Sequence, residues 1–160
     1  MPETVYLSLG SNLGDRIANL RTAIDRLAAL GEANAVSSFY ETEPLEVADQ
    51  PWFVNCVVEL KTDLKPVQLL AELLEIERQM GRRRDGKKGP RIIDLDILLY
   101  GSSVIRTNGL SIPHSAMHER RFVLEPLDEI APAALHPVLK QSIRELRDAL
   151  TGQAVRRVDS

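Results

Sequence analysis

Residues 53–61, FVNCVVELK, and residues 93–100, IDLDILLY, decide the reading of the fold. Successive side chains of a strand point to opposite faces, so alternation reports which residues share a surface. In the first stretch Val54, Cys56, Val58 and Leu60 share one face, and Phe53, Asn55, Val57 and Glu59 the other. In the second, Leu95, Ile97 and Leu99 share one face, and Asp94, Asp96 and Leu98 the other. The purely apolar faces predict packing against helices. The opposite face then gathers Phe53, Asn55, Asp94 and Asp96, a set that core packing does not explain.

Working outward, residues 5–10 and 34–40 also read as strands. Residues 15–30 read as a helix with Ile17, Leu20, Ile24 and Leu27 on one stripe and Gly31 at its stop. Pro66 suits a first helical turn, and Leu69, Leu70, Leu73, Ile76 and Met80 form the apolar face of a second helix ended by Gly81. Residues 142–150 read as a short helix. The order β-α-β-β-α-β predicts an α+β fold of ferredoxin-like type: an antiparallel sheet with helices on one face, plus C-terminal additions. No repeat, low-complexity tract or long linker interrupts the chain, so residues 1–160 read as one domain.

The composition, 44% hydrophobic and 27% charged in 160 residues, is that of a globular protein. No apolar run approaches the roughly 20 residues of a membrane span, and MPETVYLSLG has no signal-peptide pattern. The single cysteine, Cys56, cannot form an internal disulfide, which fits a reducing cytoplasm. A net charge of −3 argues against bulk attraction to nucleic acid. The charge is uneven, however: residues 82–91, RRRDGKKGPR, hold six basic residues and one acidic.

Two carboxylates at i and i+2 on one strand repel each other unless a cation sits between them. Magnesium is the natural guest for Asp94 and Asp96, since it takes a few carboxylates and completes its octahedron with waters and phosphate oxygens. Arg82, Arg84, Lys87, Lys88 and Arg91 precede the pair, and guanidinium groups bind phosphate oxygens in bidentate fashion. Together they predict a polyphosphate site, with Gly86 and Gly89 allowing the basic loop to close over it. In 111–122, SIPHSAMHERRF, His114, Arg120 and Arg121 are further phosphate donors, whereas His118 and His136 read as structural. Phe53 and Phe122 are two of seven aromatic residues and could flank a flat heterocycle whose edge Asn55 reads, although Phe122 precedes Val123 and Leu124 and also suits a core. GSNLGD at the start lacks the Walker lysine and reads as a tight strand-to-helix turn, with Asn12 as a cap.

Several separated motifs, in order, resemble one family. KKGPRIIDLDIL at 87–98 resembles the signature of the 6-hydroxymethyl-7,8-dihydropterin pyrophosphokinases (HPPK). LGSNLGDR near the start, SSFYETEPL at 37–45, QPWFVN at 50–55, IERQMGRRR at 76–84 and IPHSAMHERRFVLEPLDEIAP at 112–132 extend the likeness to all but about the last 25 residues. The resemblance implies a monomer that passes the β- and γ-phosphates of ATP as a unit to the pterin hydroxymethyl group, releasing AMP. It implies two magnesium ions on Asp94 and Asp96. It implies ATP contacts from Glu77, Arg82, Arg84, Arg91, Ile97, His114 and Arg120, with Arg82 and Arg91 also acting in catalysis. The pterin would lie between Phe53 and Phe122, with Thr42, Leu45 and Asn55 at its polar edge. The chain departs from the family pattern at Glu43, Lys88, Gly109 and Ser115. Two other classes are compatible with parts of the pattern: another two-metal nucleotidyltransferase or phosphodiesterase, and a non-enzymatic RNA-binding sheet. The latter needs stacked aromatics where this face carries aspartates.

Overall fold

The computed structural model describes residues 2–43, 52–81, 91–107 and 109–158. The elements run β1 (Glu3–Ser11), α1 (Arg16–Leu27), β2 (Glu32–Val36), β3 (Phe39–Thr42), β4 (Phe53–Thr62), α2 (Pro66–Gln79), β5 (Asp94–Tyr100), β6 (Ile105–Thr107), β7 (Leu110–Ile112), α3 (Arg121–Ile130), α4 (Ile143–Asp148) and β8 (Val155–Val158). One antiparallel sheet has the order β5-β1-β4-β3-β8, and β2 also pairs with β4. The predicted β-α-β-β-α-β core is present, with β6, β7, α3, α4 and β8 around it.

The apolar faces meet the helices as the alternation predicts. Val5, Leu7 and Leu9 of β1, Val54, Cys56, Val58 and Leu60 of β4, and Leu95 and Ile97 of β5 are buried in one cluster with Leu20, Ala23 and Leu27 of α1 and Leu69, Leu73 and Ile76 of α2. The second face is not left open. Val57, Leu98 and Leu99 are buried there with Met117, with Val123, Leu124 and Leu127 of α3, and with Ile143 and Leu146 of α4. The helices of the α-β core thus cover one face, and the later additions cover part of the other.

Four local readings change. Leu99 was expected beside Leu95 and Ile97, but the β1–β5 register pairs Tyr6 with Leu99 and Leu7 with Ile97. This bulge leaves Leu98 as the extra residue and turns Leu99 to the second face. The strand expected over 34–40 is two strands, broken at Ser37 and Ser38. The Ser37 hydroxyl accepts from the Val57 backbone N–H at 2.9 Å, a side chain competing with the ladder. Helix α1 is capped by Asp15, whose carboxylate accepts from the Ala18 N–H at 3.1 Å, and not by Asn12. Gly31 follows α1 by several residues, and its role is close approach: a Cβ there would lie 2.1 Å from the Lys61 carbonyl oxygen. Helix α3, with Pro126 inside it, and the edge strand β8 have no counterpart in the sequence reading.

Candidate active site

Strand register assembles the site. Asp94 pairs with Gly10, Gly10 with Asn55, and Asn55 with Tyr40, so one row crosses β5, β1, β4 and β3. Asp96 lies opposite Ser8 in the row below, and Phe53 lies opposite Thr42 in the row above. All of these project from the face opposite α1 and α2. The predicted grouping of Asp94, Asp96, Asn55 and Phe53 is therefore present, and Thr42 joins it.

Gly10 makes the row possible. A Cβ at that position would meet the Asn55 Nδ2 at 2.6 Å and the Phe53 ring at 3.4 Å, so both side chains lean across bare backbone. Asn55 is 4% exposed. Its Oδ1 accepts from the Thr42 hydroxyl at 3.1 Å, and its Nδ2 donates to the Leu9 carbonyl at 3.5 Å. A carboxamide held at both ends presents a fixed edge to a ligand.

The carboxylate pair is supported from beneath. Leu95 points into the core, and its backbone N–H donates to Glu77 Oε2 at 2.7 Å. Glu77 is 1% exposed on α2. The resemblance puts Glu77 near the nucleotide. In the structure one of its carboxyl oxygens grips the strand between the two aspartates, as a buried polar group needs a hydrogen-bond partner. Ile97 is likewise implied as an ATP contact, yet its side chain is buried in the core on the side away from Asp94 and Asp96.

Arg91 is placed by Asn12. The Asn12 Oδ1 accepts from the Arg91 N–H at 2.6 Å, and the Asn12 N–H donates to the Arg91 carbonyl at 3.0 Å. With its backbone so held, Arg91 reaches Asp94, its Nη1 donating to Oδ2 at 3.2 Å. Sequence reasoning assigned Asn12 to a cap and gave Gly10 no role. The signal for both is the GSN triplet, but their partners lie far along the chain.

His114 follows β7, and its backbone N–H donates to the Leu98 carbonyl at 3.0 Å. Its Nδ1 accepts from the Ala116 N–H at 3.2 Å, which leaves the proton of the neutral ring on Nε2. Burial, and then the charge of Arg120, lower this imidazole below its ordinary 6.5, while Asp94 acts in the opposite direction. His114, Arg120 and Asp94 therefore share one electrostatic environment. The Arg120 guanidinium lies over the Phe122 ring, 5.6 Å from its centroid. Phe122 is half-buried at the start of α3 and packs against the cluster under the second face, the core role its neighbours Val123 and Leu124 suggested. Leu45, Arg82 and Arg84 lie outside the described residues.

The family described as 7,8-dihydro-6-hydroxymethylpterin-pyrophosphokinase (HPPK) matches residues 6–132. The 2-amino-4-hydroxy-6-hydroxymethyldihydropteridine pyrophosphokinase of Aquifex aeolicus is 42% identical over 144 residues, which are 90% of this chain and 90% of that protein. The Haemophilus influenzae protein of the same name is 41% identical over 91% of this chain and 94% of its own length. The folic acid synthesis protein fol1 of Schizosaccharomyces pombe is 42% identical over 94% of this chain, but the chain spans only 21% of it. Among solved structures, Plasmodium falciparum HPPK-DHPS superimposes with a TM-score of 0.76 at 20% identity, over 92% of this chain and 43% of that one. That likeness supports the ferredoxin-like fold. With a match covering most of its length, the chain belongs to the 7,8-dihydro-6-hydroxymethylpterin-pyrophosphokinase family.

Proposed function

We propose that this chain carries out its family's reaction, pyrophosphoryl transfer from ATP to 6-hydroxymethyl-7,8-dihydropterin in folate synthesis, on the sheet face built by Asp94, Asp96, Gly10 and Asn55. The observation that carries the reading is the register row, which sets Asp94 and a clamped carboxamide on either side of a bare glycine, with Asp96 on the same face in the next row. Asp94 and Asp96 would hold two magnesium ions, whose chemistry is to neutralise the triphosphate and orient it. Both aspartates are partly exposed on one face, and hard oxygen donors of this kind suit magnesium.

Arg91, His114 and Arg120 bind phosphate oxygens, the histidine through Nε2–H, and Arg82 and Arg84 add charge from the basic run. Glu77 holds the strand that bears the aspartates. Thr42 and Asn55 read the polar edge of the pterin, Leu45 contributes beside them, and Phe53 and Phe122 flank its ring. The pterin hydroxyl oxygen attacks the β-phosphorus in line. A bond forms between that oxygen and the β-phosphorus, and the bond to the α–β bridging oxygen breaks. That oxygen leaves with AMP, and the hydroxyl proton passes to water. Positioning and charge neutralisation supply the acceleration. The chain acts as a single domain and a monomer in the cytoplasm. Among the described residues no helix is long and apolar enough to cross a membrane.

The test is AMP release from ATP, magnesium and the reduced pterin. Asp94→Asn and Asp96→Asn should each lower kcat by at least about a hundredfold with unchanged thermal melting. Wild-type turnover in either variant would refute the assignment, and release of pyrophosphate in place of AMP would favour a nucleotidyltransferase.

A further inference from the structure

The face of the sheet opposite the site holds an ion cluster that the reaction does not use. Glu41 of β3 projects there, with a side chain only 12% exposed. Two arginines from distant elements converge on it. Arg16, the first residue of α1, donates through Nη1 to Glu41 Oε2 at 2.8 Å and also to the Trp52 carbonyl at 2.6 Å. Arg156, opposite Glu41 in β8, donates through Nε to Glu41 Oε1 at 3.0 Å and stacks on the Trp52 ring, 5.7 Å from its centroid. The cluster lines an open cleft of about 490 Å³. Burial alone would raise the Glu41 carboxyl, but the two arginines outweigh it and hold the group below its usual value.

The position of Arg16 calls for an explanation. A cation in the first turn of a helix opposes the macrodipole, so it does not serve the helix. What it touches is informative. Glu41 precedes Thr42, and Trp52 precedes Phe53; Thr42 and Phe53 are a cross-strand pair on the site face. Arg16 thus bridges the two strands at the residues next to that pair, from the opposite side of the sheet. The tail adds a second hold. The Gln153 side-chain amide donates to the Glu43 carbonyl, and the Ala154 N–H to the Glu43 carboxylate, both at 3.2 Å. This tail lies beyond residues 6–132, the span the family matches.

We infer that Arg16 and Glu41 are positioning residues for the acceptor substrate, an ionic clamp that sets the spacing of Thr42 and Phe53, with Arg156 of the C-terminal strand as its second jaw. The inference rests on the reading that Thr42, Asn55 and Phe53 bind the pterin. Losing the clamp loosens that pair and leaves the phosphate side, on β5 and after β7, untouched.

The experiment measures KM for both substrates, kcat and Tm in five variants of the full chain. Arg16→Gln and Glu41→Gln should each raise the pterin KM about five- to tenfold, with ATP KM and kcat within about twofold of wild type. Arg16→Lys should restore part of the loss, since an ammonium keeps the charge but lacks the planar fork. Arg144→Ala is the structural control. Arg144 pairs with buried Asp128 on the other face of the sheet from the clamp, so its loss should lower Tm with the pterin KM unmoved. Asn55→Ala tests the underlying site and should raise the pterin KM. An unchanged pterin KM in Arg16→Gln and Glu41→Gln, with Asn55→Ala raised, overturns the clamp alone. An unchanged pterin KM in Asn55→Ala overturns the site and the clamp together. Equal rises for ATP and pterin in Arg16→Gln also overturn it, as they mark a general loosening.

Discussion

Replacing Gly10 with alanine is the sharpest probe of the site's construction. The new methyl would stand 2.6 Å from the Asn55 Nδ2, against an ordinary contact of 3.4 Å or more, so the carboxamide must retreat by about 0.8 Å. It has little room, because Asn55 is 4% exposed and tied to Thr42 at 3.1 Å and to the Leu9 carbonyl at 3.5 Å. Moving it sacrifices at least one of those bonds. Overpacking and a weakened buried hydrogen bond together cost about 2 kcal/mol. For a chain of this length that lowers Tm by about 4–8 °C. The same displacement withdraws the amide edge from the pterin, so the pterin KM should rise about ten- to a hundredfold. ATP KM should hold, because the nearest atoms to the new methyl belong to Asn55 and Phe53 and not to Asp94. The assay is AMP release with each substrate varied, alongside a thermal melt. A Tm drop of the stated size with an unchanged pterin KM would refute the placement of the pterin over Gly10.

Two further outcomes follow from buried groups. Asn12→Ala leaves the Arg91 N–H without its 2.6 Å acceptor, and Arg91 with a looser hold on Asp94. ATP KM should rise about tenfold and stability fall by about 1–3 kcal/mol, checked by kinetics and urea unfolding; an unchanged ATP KM would contradict the role given to Asn12. Burial first, and then the charges of His118 and Arg106, lower the His136 imidazole below its ordinary 6.5. Its Nδ1 accepts from the Val138 and Leu139 N–H groups at 3.3 and 3.1 Å. Between the depressed folded value and 6.5 the unfolded chain binds the extra proton. The stability it contributes is therefore present above 6.5 and is lost as pH falls through that window. His136→Gln should flatten this part of the stability–pH curve, and an undiminished slope in the variant would count against it.

The features legible in the sequence share one property: their cause is local. Alternation in 53–61 and 93–100 assigned Val54, Cys56, Val58 and Leu60 to the core and placed Asp94 and Asp96 together, because a strand's two-residue period follows from its own backbone. The stripes of α1 and α2 were readable for the same reason. The motifs from LGSNLGDR to IPHSAMHERRF pointed to the family, and the match over residues 6–132 agrees.

Period alone loses its meaning where the chain departs from regularity. Leu99 changed faces because a bulge against Tyr6 and Leu7 shifted the register, and a shift of one residue inverts every assignment beyond it. Helix α3 was hidden by Pro126, which local propensity disfavours and burial of Val123, Leu124 and Leu127 outweighs.

By itself, then, the amino-acid order determined strands β1, β4 and β5, the two core helices, the acidic pair and the family. Only the tertiary structure decided how Gly10 admits Asn55, why Asn12 binds Arg91, where Glu77 supports Leu95, and that β8 closes on β3. Each of these joins residues far apart in the chain. Such contacts are chosen by the packing of whole faces, which no stretch of neighbouring residues encodes.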